Sequence, residues 1–377
     1  MTKSTVLRKT YRFQLRPTKR QVRSLNSALA ICCELYNAAL QERREAWKSA
    51  RKTVGYCGQT KELTEVRQIR PDVAALPVDM AREPIRRVDR AFQGFFRRCK
   101  EGQKPGYPRF RSRDRYDSLA CSAPDFRVDS GRVVVSKLGG FRMRMHREMN
   151  GMPKHCTIKR LGKRWQVMIV CELGPAPDKK PVSSVVGIDL GVRTFAVLSD
   201  GKTIEQPNWA KRSEDLIARK QRELAAKKRG SNNRRKAREG LRRAQERVAN
   251  RRNNFCHHVS KWLVASYDLV AFEKLNIRAM TEGFMAKSIM QAAWGILLWQ
   301  IAYKAESAGR YAVAVNPKGT TQRCSGCGAI VPKGLSQRIH LCPDCGLVLD
   351  RDHNAAINIV RLGRSAVGLP PPRGLAT

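Results

Sequence analysis

Three carboxylates stand where apolar segments begin or end. Asp189 lies inside the apolar run of VVGIDLG, two residues before Gly191. Glu273 follows the apolar stretch of LVAFEKL, and Asp352 lies in LDRDHNAA at the start of the last expected helix. A carboxylate within or just after an apolar strand costs desolvation unless a cation or a donor meets it. Three that converge from distant parts of a chain would make a hard, all-oxygen site suited to Mg²⁺. Two such ions can activate water and stabilise the leaving oxygen of a phosphodiester. Each residue also has an ordinary reading. Asp352 can be an N-cap, Asp189 a turn residue before Gly191, and Glu273 a partner for Lys274 or for an Arg of the basic hairpin described below. The convergence is an expectation that the fold must test, and element order and charge favour the catalytic reading.

The strongest local signal is a pair of knuckles. Cys324-x-x-Cys327 and Cys342-x-x-Cys345 are separated by 14 residues, and Gly328 and Gly346 follow each pair. That is tetrahedral Cys₄ spacing for a structural Zn²⁺, because four thiolates leave no open position. His340 is a spare donor. The other Cys residues read as small buried hydrophobes.

Two basic segments could hold nucleic acid. The loop KPGYPRFRSRDR carries Tyr107, Arg109, Phe110, Arg111 and Arg113, with Tyr116 beside it. Arg and aromatic side chains together hold phosphates and stack on bases. Residues 211–252 hold 17 Lys or Arg against 5 Asp or Glu, a net +12, with Arg234, Arg235 and Arg242 as candidate phosphate contacts. Few acidic partners are available there to compensate at i,i+4. The ordinary readings are a solvated Arg-rich loop and a charged surface. Across 377 residues, 74 basic against 32 acidic side chains give +42. Such an excess fits a polyanion partner, with an anionic membrane as competitor. The start MTKSTVLRKTYRFQLR lacks the apolar core of a signal peptide. The apolar helix from Ile289 is too short to span a bilayer. Twelve Cys at this density fit a reducing compartment, so a cytoplasmic, nucleoid-associated protein without a membrane partner is expected.

The elements must position these residues. Leu7, Tyr11, Phe13 and Leu15 alternate with Arg8, Thr10, Arg12 and Gln14, a half-buried strand with a basic outer face. Thr18 and Gln21 form a capping box ahead of Val22, Leu25, Leu29, Cys32, Tyr36 and Leu40 at helical spacing. Helix should continue to about Cys99 with breaks at Pro71, Pro77 and Pro84. From Phe126 to Leu173 the period is two, with turns at Asp129-Ser130-Gly131, Gly139-Gly140 and Leu161-Gly162-Lys163. The first strand is expected to pair with this unit. Pro175 to Pro181 reads as a linker. Beyond it the order is strand (Val185–Leu190), strand (Thr194–Ser199), a short strand near Thr203–Glu205, a helical hairpin split at Gly230-Ser231-Asn232-Asn233, strand (Leu269–Phe272), helix (Ile289–Ala308) and strand (Tyr311–Val315). The Cys pairs and a helix from about His353 to Leu362 follow. That order is the order of an RNase H-type mixed sheet with helices on its faces.

The set GIDLGVRTFAVLSDG, FEKLNI, TTQRCSGCG, LCPDCG and DRDHNAAINI resembles the TnpB family, transposon-encoded RNA-guided DNA endonucleases (also called OrfB) related to type V CRISPR effectors. KTYRFQLRPTKRQ and GYPRFRSR are similar to that family too, so the resemblance runs from about residue 5 to 362. It implies an α+β multidomain chain. A wedge β-barrel would combine 1–17 with 120–180, and a helical recognition domain at 18–119 would be inserted in it. A RuvC-like nuclease domain would take 181–316 and 350–363, with a zinc ribbon at 317–349 and a disordered tail at 364–377. It implies that Asp189, Glu273 and Asp352 are the acidic residues holding Mg²⁺. By match to the family the second Asp of DRD is the ligand, with Asp350 its rival. All three positions are present, unlike in inactivated, repressor-like relatives. Family members bind an RNA transcribed from the element's end, recognise a short motif beside the target, unwind the duplex and cut DNA with Mg²⁺. Sequence choice would then rest on base pairing. The expected partners are a guide RNA and double-stranded target DNA, and a monomer is expected. The competing functions are an RNA-guided binder that does not cut and a guide-independent structural or resolving nuclease.

Overall fold

The structure is a computed structural model that describes residues 6–207, 209–280, 293–334 and 337–370. The first residues of the expected apolar helix, 289–292, and the last part of the expected tail, 371–377, lie outside the described residues. The chain divides into two units, Met1–Pro175 and Ala176–Thr377, at the start of the Pro-rich linker.

In the first unit β1 (Val6–Leu15) is followed by four helices before the sheet resumes. These are α1 (Lys19–Ala50), α2 (Tyr56–Ile69), the single turn α3 (Pro71–Ala74) and α4 (Val78–Lys100). Then come β2 (Ser118–Ser122), β3 (Phe126–Asp129), β4 (Arg132–Val135), β5 (Gly139–Arg144), β6 (Met152–Leu161) and β7 (Arg164–Pro175). The sheet order is β2-β6-β7-β1-β5-β4-β3, so β1 joins the later strands as expected. The helices are an insertion between β1 and β2. Tyr11, Phe13 and Leu15 are buried and their neighbours exposed, which is what the alternation requires. The capping box forms: Gln21 N donates to Thr18 Oγ1 at 3.3 Å and Thr18 N to Gln21 Oε1 at 3.0 Å. The same glutamine donates from Nε2 to Gly140 O, fastening α1 to the sheet.

Two local expectations fail for identifiable reasons. Pro84 does not break α4 but lies inside it. Its missing N–H would orphan the carbonyl four residues earlier, and that carbonyl, Met80 O, receives the thiol of Cys32 from α1. Gly139-Gly140 is not a turn. It opens β5, and the reversal is made by 136–138 with Lys137 left-handed.

The second unit is built on a five-stranded sheet. Its strands are β8 (Val185–Leu190), β9 (Thr194–Leu198), β10 (Thr203–Glu205), β11 (Leu269–Glu273) and β12 (Tyr311–Val315), in the order β10-β9-β8-β11-β12. β8 and β12 flank β11 in parallel, whereas β9 runs antiparallel to its neighbours β8 and β10. α5 (Trp209–Ala225) and α6 (Asn232–Ser266) form the hairpin, reversing at Gly230 with positive φ. α7 (Ile277–Met280) is one turn, and α8 (Trp294–Ser307) packs Leu297 and Ile301 into the core with Leu263 of α6. The two-stranded pair β13 (Ile339–Leu341) and β14 (Val348–Asp350) leads into α9 (Arg351–Ala366). α9 runs four residues past the expected Leu362, into the segment expected to be disordered.

Candidate active site and zinc centre

Glycine decides how closely α9 lies on the sheet. A Cβ on Gly187 of β8 would stand 2.1 Å from Ala356 O and 2.6 Å from Val360 N, and one on Gly363 would stand 2.4 Å from Ala271 Cβ. Backbone therefore packs on backbone where α9 crosses β8, and the helix passes on to Ala271 of β11. Asp189 lies two residues beyond Gly187, about 6.6 Å along the strand and on the same face. Asp352 lies one turn before Ala356, about 6 Å back along the helix axis. In the parallel register Phe272 pairs with Ile188. The residues that follow, Glu273 and Asp189, therefore lie side by side near the C-terminal ends of adjacent strands.

The electrostatics carry the signature of that placement. The Asp189 carboxyl is pushed well above the ordinary carboxylate range, first by burial and then by the negative charges of Glu273 and Asp352, with Arg351 opposing. Glu273 is also raised by burial, against a hydrogen bond from Thr320, whose hydroxyl donates to Glu273 Oε1 at 2.5 Å. Asp352 meets Arg351 Nε at 3.1 Å and Arg338 at 3.7 Å. The ordinary readings of these residues are answered by the same contacts. Asp350, not Asp352, is the N-cap of α9, accepting from Asp352 N at 2.8 Å and His353 N at 3.1 Å. Asp189 is paired within β8, opposite Val197 of β9. Asp189 thus feels the charge of both other carboxylates, an arrangement of oxygen donors that a divalent cation could relieve.

The four cysteines form a second centre. Their sulfurs all lie within 4.8 Å of one another. Cys324 and Cys345 are 3.7 Å apart and Cys327 and Cys342 3.5 Å. A tetrahedron with Zn–S near 2.3 Å has edges of about 3.8 Å, so the donor set fits zinc. Gly328 and Gly346 take positive φ, and each N–H returns to the carbonyl of the first Cys of its knuckle at 3.0 Å. Backbone N–H groups, that of Cys345 first, lower the Cys342 thiol to about 7, which favours the thiolate. His340 is buried and turns its Nδ1 to Lys333, outside the sulfur cluster.

The nucleic-acid candidates divide. Asn37 of α1 grips the basic loop at Arg111, accepting from its N–H and donating to its carbonyl, both at 2.9 Å. With the backbone held there, Tyr107, Arg109, Phe110, Arg111 and Arg113 stay exposed. Arg44 stacks over Phe110 at 5.1 Å. Tyr116 is not part of that surface. It is buried against Tyr36 with Arg87 over its ring. On the hairpin, Arg235 is exposed. Arg234 instead caps the end of α5, donating to Leu224 O at 2.9 Å and Lys227 O at 2.8 Å. Arg242 is paired with Glu239 at 2.9 Å and Glu246 at 3.4 Å. The expected lack of i,i+4 compensation therefore does not hold here, since Arg242 pairs with Glu246 and Arg243 with Glu239 at that spacing.

Sequence comparison now places the chain. It is 30% identical over 375 residues, covering 96% of itself and 90% of the relative, to a Streptomyces pristinaespiralis protein named "Putative RNA-guided DNA endonuclease". The chain belongs to the TnpB family. An Escherichia coli (strain K12) relative, "Putative RNA-guided DNA endonuclease InsQ", is 27% identical over 381 residues, covering 95% and 92%. Three family profiles match this TnpB-family chain: "Probable transposase" over 168–283, "Cas12f1-like, TNB domain" over 294–359 and "Helix-turn-helix domain" over 4–52. The last label departs from the described structure, which holds a strand and one long helix there. Among solved structures, a Cas12f1–sgRNA–target DNA complex shares the fold at TM-score 0.61 and 13% identity, over 94% of this chain and 99% of that one.

Sequence reasoning missed the residues that tie the two centres of this TnpB-family chain together. Asn354 accepts from Ser325 N and donates to Arg323 O, both at 2.8 Å. Asn358 donates to Thr320 O at 2.9 Å and to Arg323 O at 2.6 Å. The signal was present as two Asn residues at helical i,i+4 spacing in DHNAAINI, on a face otherwise made of Ala and Ile.

Proposed function

We propose that the protein is an RNA-guided DNA endonuclease that hydrolyses phosphodiesters with Mg²⁺. The observation that supports this reading is that the Asp189 carboxyl lies within reach of the charges of both Glu273 and Asp352. Two of them follow the register pair Phe272–Ile188 on adjacent parallel strands, and the third rides a helix that glycines bring onto those strands. These three carboxylates would hold two Mg²⁺ ions. Bound there, the ions supply a nucleophilic hydroxide and charge stabilisation at the leaving oxygen. Asp189, raised by burial and then by its neighbours' charges, is a group whose ionisation a bound cation would favour. Cys324, Cys327, Cys342 and Cys345 would hold a structural Zn²⁺.

The order β10-β9-β8-β11-β12, with β9 alone running against the other strands, supports a RuvC-like, RNase H-type domain over 181–316 and 350–363, interrupted by the ribbon at 317–349. The helical insertion between β1 and β2 supports a wedge barrel (1–17 and 120–180) carrying a recognition domain (18–119). The exposed loop side chains Tyr107, Arg109, Phe110, Arg111 and Arg113 suit stacking and phosphate contact. Arg235, with Lys236 and Arg238 beside it, offers phosphate contacts on α6.

The test is cleavage of a plasmid matching the copurified RNA, with Mg²⁺ and with EDTA. The reading expects cutting with Mg²⁺ and none with EDTA or with Asp189→Ala, whose RNA binding stays near wild type. Protein that protects the target without nicking it would instead be a guided binder. Cutting that survives RNase treatment would make it a guide-independent nuclease.

A further inference from the structure

The two centres are joined by one short segment of chain. Thr320 is buried, and its hydroxyl holds Glu273 Oε1 at 2.5 Å. Four residues later comes Cys324, the first ligand of the knuckle. The backbone between them is fixed from the helix that bears Asp352: Asn358 takes the carbonyls of Thr320 and Arg323, and Asn354 takes Arg323 O and Ser325 N. A third link runs from Arg338, just before β13 of the ribbon, to Asp352. Asn354 and Asn358 are themselves buried. Leaving their partners unmet would cost desolvation of each group, so the segment has little freedom to shift on its own.

We propose that Thr320 is the positioning residue of Glu273, and that Asn354 and Asn358 lock it there, so the zinc knuckle sets how well the nuclease site holds its divalent ions. This rests on the reading of Glu273 as a metal ligand. An oxygen ligand oriented by a partner of its own binds metal better than a free one, and removing such a partner typically costs about 10–100-fold in affinity. Thr320 acts through Glu273 and touches no substrate.

The test uses the full-length, zinc-loaded chain and Mn²⁺ as probe, with free ion read by electron paramagnetic resonance and zinc by elemental analysis. Thr320→Val keeps the volume and removes the donor. It is expected to weaken Mn²⁺ binding at least about tenfold while zinc content stays at the wild-type level. Thr320→Ser restores the donor and should bind within about twofold of wild type, a rescue that a purely structural role would not give. Thr320→Ala makes the same deletion if the valine variant does not fold. Glu273→Gln separates the two readings. If it binds Mn²⁺ like wild type, the metal-site reading falls and this inference with it. If it weakens binding while Thr320→Val does not, the positioning role alone is refuted. A Thr320→Ser variant as weak as Thr320→Val would refute it too.

Discussion

The closest approach in the second unit is also the most exacting. Gly187 meets the backbone of α9 with no side chain between them. In Gly187→Ala the new methyl would lie 2.1 Å from Ala356 O, where ordinary contact begins near 3.4 Å, so strand and helix must separate by about 1.3 Å. No flexible group is there to turn aside, because the nearest two atoms are both helix backbone. Overpacking of this kind typically costs about 1–3 kcal/mol, or about 2–12 °C in Tm at roughly 2–4 °C per kcal/mol for a unit of this size. The functional loss should be larger in proportion. Asp352 sits one turn from Ala356 and moves with it, and a misplacement of about 1 Å at a reacting centre can cost about 100-fold in rate. The assay is single-turnover cleavage of matched plasmid at saturating Mg²⁺, with Tm by calorimetry and RNA binding as the control. Gly240→Ala on α6 has open space around it and should raise helix stability by up to about 1 kcal/mol without touching cleavage. Wild-type cutting by Gly187→Ala at unchanged Tm would refute the argument that close packing of α9 sets the site.

Other outcomes follow from the same contacts. Asp189 has a folded-state pKa above its unfolded value, so its contribution to stability is complete below the ordinary Asp range and is lost as pH rises through the raised value. Asp189→Asn should therefore raise Tm in Mg²⁺-free buffer at neutral pH while abolishing cleavage, and an unchanged or lowered Tm would contradict the assigned repulsion. Asp350→Ala should cost about 1 kcal/mol as a lost N-cap yet keep measurable cleavage, whereas Asp352→Ala should keep none; the reverse order in a plasmid assay would make Asp350 the ligand. Replacing Arg235, Lys236 and Arg238 together by Gln should flatten the logarithmic salt dependence of RNA affinity by about 2–3, if each meets a phosphate. A slope equal to wild type in filter binding would remove that face of α6 from the RNA surface.

Much of the fold could be read because its signals are local. The capping box at Thr18 and Gln21, the alternation in β1, the hairpin reversal at Gly230 and the Cys₄ spacing each depend on residues within one element or one turn. What escaped depends on partners distant in sequence. Pro84 remains helical because a thiol from 52 residues earlier takes the carbonyl it leaves open. Tyr116 looks like a loop aromatic until α1 and Arg87 enclose it. Arg234 looks like a phosphate contact until the end of α5 presents its carbonyls. The candidate site shows the same division. The three carboxylates stand out because charge at the end of an apolar run is locally costly. Thr320, Asn354 and Asn358 are ordinary residues whose roles exist only once the ribbon lies on α9.

The central claim is that Asp189, Glu273 and Asp352 jointly hold divalent ions at the point of DNA cleavage. The most direct measurement is an anomalous-scattering structure of the guide- and target-bound protein with Mn²⁺ in place of Mg²⁺. The account predicts metal within about 2.0–2.2 Å of carboxylate oxygens from all three residues, beside a DNA phosphate. Metal bound elsewhere on the chain, with these three carboxylates unligated against the DNA, would contradict it.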